Sequence, residues 1–77
     1  MNENEYTVIR MVAEHFQLKM VEVEPHMDLF DDLGADSLDS VELVLEIEKI
    51  FDVEVADEMI DSTRTVQDII TMVNDLS

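Results

Sequence analysis

The chain of 77 residues contains only one glycine, Gly34, and only one proline, Pro25. Glycine and proline are the residues that most often interrupt helices and strands, so their scarcity permits long regular segments. The clearest alternating pattern, V-E-V-E over residues 21–24, is too short to form a stable sheet alone. These features predict an all-α protein.

Two amphipathic segments define the first and last predicted helices. Apolar residues recur at helical spacing over residues 5–17 and again over residues 66–76, with polar residues on the opposite faces. Between them, a helix is predicted to begin after Asp36, whose short carboxylate suits an N-cap, and to end near Phe51. Thr65, followed three residues later by an aspartate, is the predicted cap of the last helix.

The remaining segments are shorter or irregular. Residues 56–61 allow one or two further helical turns, whereas residues 20–33 show no sustained period and predict a long ordered loop. A chain of this length supports one hydrophobic core. We therefore expect three main helices, one short helix and a long loop between the first two helices, all in a single domain spanning residues 1–77.

The charge of the chain is strongly negative. Asp and Glu number 20 against 4 Lys and Arg, which gives a formal net charge of -16. Such a field repels nucleic acid and anionic lipid, so we expect no nucleic-acid partner and no stable membrane association. Fourteen of the acids lie between Glu24 and Asp61, so the negative charge is concentrated in the middle of the chain and favours basic protein partners.

The sequence carries no sign of secretion or of membrane insertion. It has no cysteine, its first residues lack the basic and apolar blocks of a signal peptide, and no apolar run approaches ~18 residues. We expect a cytoplasmic protein, and a monomer.

The predicted helix between Asp36 and Phe51 has two apolar faces when its residues are placed at the period of about 3.6 residues per turn. The broad face is expected to meet the core and comprises Ser40, Leu43, Val44, Ile47, Ile50 and Phe51. A narrower stripe comprises Leu38, Val41 and Leu45. Acidic residues flank this stripe, so it is expected to face water as a docking surface for a basic partner. The alternative is that the stripe packs on the long loop as part of the core.

A serine, Ser37, lies between two aspartates at the predicted start of this helix. A hydrolytic nucleophile would need a base within hydrogen-bond reach and a third group to orient that base. The only two histidines are His15 and His26, and nothing in the sequence directs either of them toward Ser37. Autonomous catalysis by Ser37 is therefore not expected.

The acidic loop before Ser37 does not fit a calcium site of the EF-hand type. Placing Gly34 at the sixth loop position puts Leu29 at the first and Leu33 at the fifth, where oxygen ligands are required, and Ser40 at the twelfth, where a bidentate Glu is required. We assign no metal ligand from the sequence, although loose binding of divalent ions by clustered carboxylates stays open.

The segment D-D-L-G-A-D-S-L-D-S-V-E-L, followed by E-I-E-K-I-F-D-V-E-V, resembles the phosphopantetheine attachment region of the acyl carrier proteins. The resemblance is closest to the free-standing carriers of bacterial type II fatty acid synthesis. It extends over nearly the whole chain, from the amphipathic first helix to T-V-Q-D-I-I at the start of the last helix.

The resemblance implies a four-helix bundle in which Ser37, within the motif Asp36-Ser37-Leu38, receives 4'-phosphopantetheine from coenzyme A. A separate phosphopantetheinyl transferase performs this step, so the protein itself is a non-catalytic carrier. Acyl chains are then held as thioesters on the arm for fatty acid synthesis enzymes and acyltransferases with basic surfaces.

The resemblance also assigns two sets of residues. The positions that match the family's partner surface are Asp39, Val41, Glu42, Leu45, Glu48, Val55, Asp57, Glu58 and Ile60. The positions that match the acyl pocket are Phe30, Ser40, Val44, Ile47, Val55, Ile60, Ile69 and Met72.

Two alternatives remain open on the sequence. The chain could serve a polyketide or other specialised acyl pathway, or it could be an acidic helical interaction module that carries no prosthetic group.

Overall fold

The computed structural model describes residues 2–76 as four α-helices joined by ordered loops. These are α1 (Glu3–Phe16), α2 (Ser37–Phe51), α3 (Asp57–Ser62) and α4 (Val66–Leu76). The long loop between α1 and α2 contains a 3-10 turn at Met20–Glu22. The described residues form no strand, so the predicted all-α class is confirmed. Both ends of the predicted 1–77 domain lie outside the described residues.

The helix boundaries follow from side chains that cap the free backbone N–H groups. The α1 helix begins two residues earlier than predicted because Asn2 Oδ1 accepts the N–H of Glu5 at 2.8 Å. At the start of α2 the predicted cap is confirmed, and it is reciprocal. The Asp36 carboxylate accepts the Asp39 N–H at 2.9 Å, and the Asp39 carboxylate accepts the Asp36 N–H at 3.0 Å. This capping box fixes the first turn of α2.

The start of α4 is fixed in the same way. Thr65 Oγ1 accepts the Asp68 N–H at 3.1 Å, while the Asp68 carboxylate accepts the N–H groups of Thr65 and Arg64, each at 2.9 Å. The predicted cap at Thr65 is confirmed, and the return bond from Asp68 completes the motif.

The core is built mainly by α1 and α4, which pack against each other. Each of these helices presents a continuous buried stripe, whereas α2 contributes only Leu43 and Ile47 to the fully buried set. The residues with the least exposed side chains are Val8, Val12, Ile47, Val66, Ile69, Ile70 and Val73.

The long loop is ordered because it is tied both to the core and to α4. Val23 and Leu29 are buried. The backbone N–H of Leu29 donates to the Arg64 carbonyl at 2.8 Å, and the N–H of Val66 donates to the Met27 carbonyl at 3.0 Å. The predicted ordered loop is thus confirmed.

The predicted core face of α2 is partly wrong. Leu43 and Ile47 are buried, and Ser40, Val44 and Phe51 are half-buried, but Ile50 is exposed. The side chain of Ile50 lines an open groove together with Arg10 and Glu14 of α1. These polar side chains leave Ile50 exposed to water. The face that α2 buries is therefore narrower than its apolar residues suggest.

No helix in residues 2–76 combines the length and the apolar character needed to cross a membrane.

Two isoleucines of α2 allow a matched test of this packing. Ile47 is 1% exposed and Ile50 is 51% exposed. We expect Ile47→Ala to lower the free energy of unfolding by about 2–5 kcal/mol, because it leaves a cavity among fully buried neighbours. Ile50→Ala should change it by less than about 0.5 kcal/mol. Urea denaturation of both variants measures the difference, and equal losses would contradict the assigned core.

The cap of α4 generates a second prediction, on pH. Backbone N–H groups of Thr65 and then Arg64 hold the pKa of Asp68 below its ordinary value of 3.8. A lowered folded-state pKa stabilises the fold above the unfolded-state pKa, and this stabilisation is lost as the pH falls through the folded value. We expect Asp68→Asn to reduce stability at neutral pH and to make the decline below about pH 4 shallower than in the parent. Asp75→Asn, which changes an exposed acid of the same helix, is the matched control in urea titrations at each pH, and a loss of stability at neutral pH equal to that of Asp68→Asn would contradict the role of the cap.

Candidate functional site

Ser37 is the first residue of α2 and its side chain is exposed. It follows Asp36 directly, so the capping box described above determines the backbone on which the hydroxyl is carried. In residues 2–76, neither histidine makes a hydrogen bond to Ser37, because His15 is bonded to Asp39 and His26 is exposed in the loop. The site presents a hydroxyl at a helix start without the base that a nucleophile requires.

An open groove of about 450 Å³ begins at Ser37 and runs between α2 and α3. Its lining residues are Phe30, Ser37, Ser40, Val41, Ile60, Asp61, Thr63 and Arg64. The guanidinium of Arg64 lies 5.4 Å from the centre of the Phe30 ring and 2.6 Å from Asp28 Oδ2. These contacts anchor the wall of the groove that comes from the long loop.

A small cavity of about 20 Å³ lies deeper in the bundle, against the same side of α2. It shares Ser40, Ile60 and Thr63 with the groove, so the two are adjacent. Its full lining is Leu29, Ser40, Leu43, Val44, Ile47, Ile60, Thr63, Ile69 and Met72. A volume of this size admits about one water molecule, so the cavity has no room for a larger ligand in this conformation.

The structure brings most of the predicted pocket residues together. The cavity is lined by six of them, which are Ser40, Val44, Ile47, Ile60, Ile69 and Met72, and Phe30 lines the outer groove. Val55 lines neither space; its backbone N–H donates to Glu48 Oε2 at 3.0 Å. Sequence reasoning missed Leu29, because an isolated leucine in a loop shows no period, and it missed Thr63, whose hydroxyl donates to the Met59 carbonyl.

The narrow apolar stripe of α2 faces water. Leu38, Val41 and Leu45 are 64%, 53% and 58% exposed. The prediction that this stripe is exposed is confirmed, and the alternative that it packs on the long loop is wrong. Of the other residues predicted for the partner surface, Glu42, Asp57 and Glu58 are exposed, whereas Asp39, Glu48, Val55 and Ile60 are half-buried. Contiguous exposed aliphatic side chains of this kind are typical of docking surfaces.

His15 is the residue whose surroundings the sequence did not reveal. Its Nε2 lies 2.8 Å from Asp39 Oδ1 and 3.9 Å from Glu42 Oε2, and its ring stands edge-on to Phe16. The backbone N–H of Asp36 and then the His15 ring hold the pKa of Asp39 below its usual range. Helical spacing places His15 off the buried stripe of α1, but it cannot show that the start of α2 covers that position.

The exposed hydroxyl and the adjoining groove are compatible with a long flexible group attached to Ser37. A phosphate at this position would lie near the positive end of α2, where the first backbone N–H groups lack intrahelical partners. The remainder of such a group could lie along the groove without displacing the core.

Comparison with known proteins agrees with this geometry. The family model described as phosphopantetheine attachment site matches residues 7–73. The acyl carrier protein of Syntrophobacter fumaroxidans is 45% identical over 62 residues, which cover 80% of this chain and 76% of that protein.

Solved structures show the same fold. A Mycobacterium tuberculosis protein described as a candidate acyl carrier protein has a TM-score of 0.88 at 26% identity, covering 94% of this chain and 96% of that one. An acyl carrier protein from Thermotoga maritima has a TM-score of 0.78 at 25% identity, covering 97% and 92%. The chain belongs to the acyl carrier protein family, the small helical proteins that bear 4'-phosphopantetheine and act as carriers rather than as catalysts.

Proposed function

We propose that this protein carries acyl chains as thioesters on a 4'-phosphopantetheine arm attached to Ser37 and delivers them to enzymes of fatty acid synthesis. The observation that supports this most directly is the exposed Ser37 hydroxyl at the capped start of α2, beside a groove that adjoins the core. On this proposal residues 1–77 form one carrier domain that works as a cytoplasmic monomer.

Ser37 is the acceptor of the arm in this proposal, and a phosphopantetheinyl transferase supplies the base and the coenzyme A. Asp36 fixes the backbone through its bond to the Asp39 N–H, and Leu38 offers an exposed apolar contact beside the hydroxyl. When bound, the arm supplies a terminal thiol that holds the acyl group. The residues of the chain present the serine and stabilise the phosphodiester at the helix start.

The exposed stripe of α2 serves as the docking surface for these enzymes. Apolar anchors with a charged rim give contact and electrostatic steering toward a basic partner. Glu48 has a second role, because its carboxylate also holds the backbone before α3. The full proposed surface comprises Asp39, Val41, Glu42, Leu45, Glu48, Val55, Asp57, Glu58 and Ile60.

The cavity beneath the groove is the proposed acyl site. At about 20 Å³ it cannot hold an acyl chain until the helices move apart. Apolar side chains from α2 and α4 would then receive the chain. The proposed pocket residues are Phe30, Ser40, Val44, Ile47, Val55, Ile60, Ile69 and Met72.

A specialised acyl pathway, such as polyketide synthesis, is the second candidate. The hydroxyl-bearing residues Ser40 and Thr63 both line the cavity and the groove, and such residues suit a cargo with polar substituents. The acidic module without a prosthetic group is disfavoured by the match to the attachment family over residues 7–73. The masses of acyl forms that accumulate on the protein in its own host would distinguish the two pathways.

The attachment site is tested by intact-protein mass after incubation with coenzyme A, Mg²⁺ and a broad-specificity phosphopantetheinyl transferase. We expect the unmodified parent to gain one phosphopantetheine and Ser37→Ala to gain none. Ser62→Ala, which removes another exposed serine, should be modified like the parent. Modification of folded Ser37→Ala would place the attachment elsewhere.

The docking surface is tested by association rates with the same transferase. We expect Glu42→Lys to slow association by about three- to tenfold at low salt, because steering depends on charge near the contact. The difference should shrink at high salt. Glu24→Lys changes the net charge equally, from -16 to -14, but lies in the long loop, so its effect should be small. Equal slowing by the two variants would indicate an effect of total charge rather than a surface on α2.

A further inference from the structure

We propose that His15, Asp39 and Glu42 form a binding site for a divalent transition-metal ion, with Zn²⁺ as the best match, that joins α1 to α2. The inference concerns the polypeptide alone and does not rest on the proposed function. It uses a histidine near the end of α1 and two carboxylates on successive turns of α2.

The ligand atoms already lie close together. His15 Nε2 is 2.8 Å from Asp39 Oδ1 and 3.9 Å from Glu42 Oε2, and the three atoms all lie within 4.8 Å of one another. Zinc bound tetrahedrally at about 2.0–2.2 Å holds its ligand atoms about 3.3–3.5 Å apart. The distances from His15 to the two carboxylates therefore change by about half an ångström each, with Asp39 moving slightly away from the ring and Glu42 moving toward it. The Asp39 and Glu42 oxygens, which lie within 4.8 Å of each other, close by up to about 1.4 Å, and the exposed Glu42 side chain can make that movement.

The donor set selects the class of metal. Mg²⁺ and Ca²⁺ take oxygen ligands and would leave the imidazole unused. One imidazole nitrogen with two carboxylate oxygens suits Zn²⁺ and its neighbours in the first transition row. Two carboxylates also balance the charge of a divalent ion, and three protein ligands leave the fourth zinc position for water.

The surroundings orient two of the ligands before the metal arrives. Asp39 Oδ2 accepts the Asp36 N–H at 3.0 Å, which directs the other oxygen toward His15. The His15 side chain is only 12% exposed and its ring packs edge-on against Phe16 at 4.8 Å between ring centres. Hydrogen bonds such as the one from the Asp36 N–H, which orient a metal ligand through its other polar atom, are a regular feature of protein metal sites.

An approach path is present on the outer side. The side chains of Asp39 and Glu42 are 30% and 52% exposed, so an ion can reach the cluster from solvent and Glu42 can close over it. Nε2 then coordinates without its hydrogen, and the neutral ring carries its hydrogen on Nδ1.

The experiment is a calorimetric titration of ZnCl₂ into the Ser37→Ala protein, which excludes any contribution from a prosthetic group. A large excess of MgCl₂ occupies the other carboxylates. We expect one equivalent of Zn²⁺ to bind, with affinity reduced at least about tenfold in His15→Gln and unchanged in His26→Gln. The two histidines of the chain thus provide a matched pair. Nitrogen NMR of the imidazoles should show Zn²⁺ shifting the Nε2 resonance of His15 and leaving that of His26 in place.

Three results would overturn the site. These are no zinc binding in the presence of MgCl₂, equal affinity in His15→Gln and the parent, or a shift confined to His26. Circular dichroism checks that each variant is folded. If His15→Gln does not fold, Glu42→Gln replaces it, because that side chain is half exposed, and unchanged zinc affinity in Glu42→Gln would equally reject the site. Failure of the zinc site leaves the mass test of Ser37 unaffected, and the reverse also holds.

Discussion

The narrow buried face of α2 is the constraint on which the rest of the structure depends. Only Leu43 and Ile47 of this helix are fully buried, so its remaining circumference stays available. One side opens on the groove at α3, the outer side presents Leu38, Val41 and Leu45, and the side toward α1 meets His15. A helix buried more deeply would gain stability from a larger apolar contact but would lose these separate surfaces. The bundle instead relies on α1 and α4 for most of its core.

A chain with a net charge of -16 folds despite its self-repulsion partly because several of its carboxylates bind backbone N–H groups. Asp28 accepts the N–H groups of Asp31 and Phe30, each at 2.8 Å, and these bonds, together with Arg64, hold its pKa below the usual range. Asp39 and Asp68 are held ionised by the same kind of bond at the starts of α2 and α4. Asp28, Asp39 and Asp68 thus differ from other acids in that their carboxylates accept backbone N–H groups and fix local structure. Asp57 and Glu58 are instead exposed at the surface, where a partner could reach them.

Local features of the fold could be predicted from the sequence, whereas contacts between distant segments could not. The caps at Asp36 and Thr65 were predicted correctly because a cap and the N–H that it accepts lie within three residues of each other. The exposed stripe of α2 was predicted because acidic neighbours mark the side of a helix that faces water. Ile50 was placed in the core wrongly, since periodicity reports which residues share a face but not how wide a face the neighbouring helices cover. The partners of His15 depend on how α1 and α2 pack, and no sequence spacing encodes a contact across 24 residues.

If the core receives an acyl chain as we propose, the low burial of α3 makes it the helix expected to move. This helix has six residues, its N-cap Ala56 provides no side-chain hydrogen bond, and none of its residues is fully buried. Helices as short as this have little stability of their own, so α3 is held mainly by partly buried side chains such as Met59 and Ile60. Ile60 contacts both the groove and the cavity, so a displacement of α3 would join the two spaces. Moving α1 or α4 would instead separate the two helices whose fully buried stripes form most of the core, at a far larger cost in apolar contact. On that proposal, the difference in burial between α3 and the other helices predicts that the bundle would open on the side of α3.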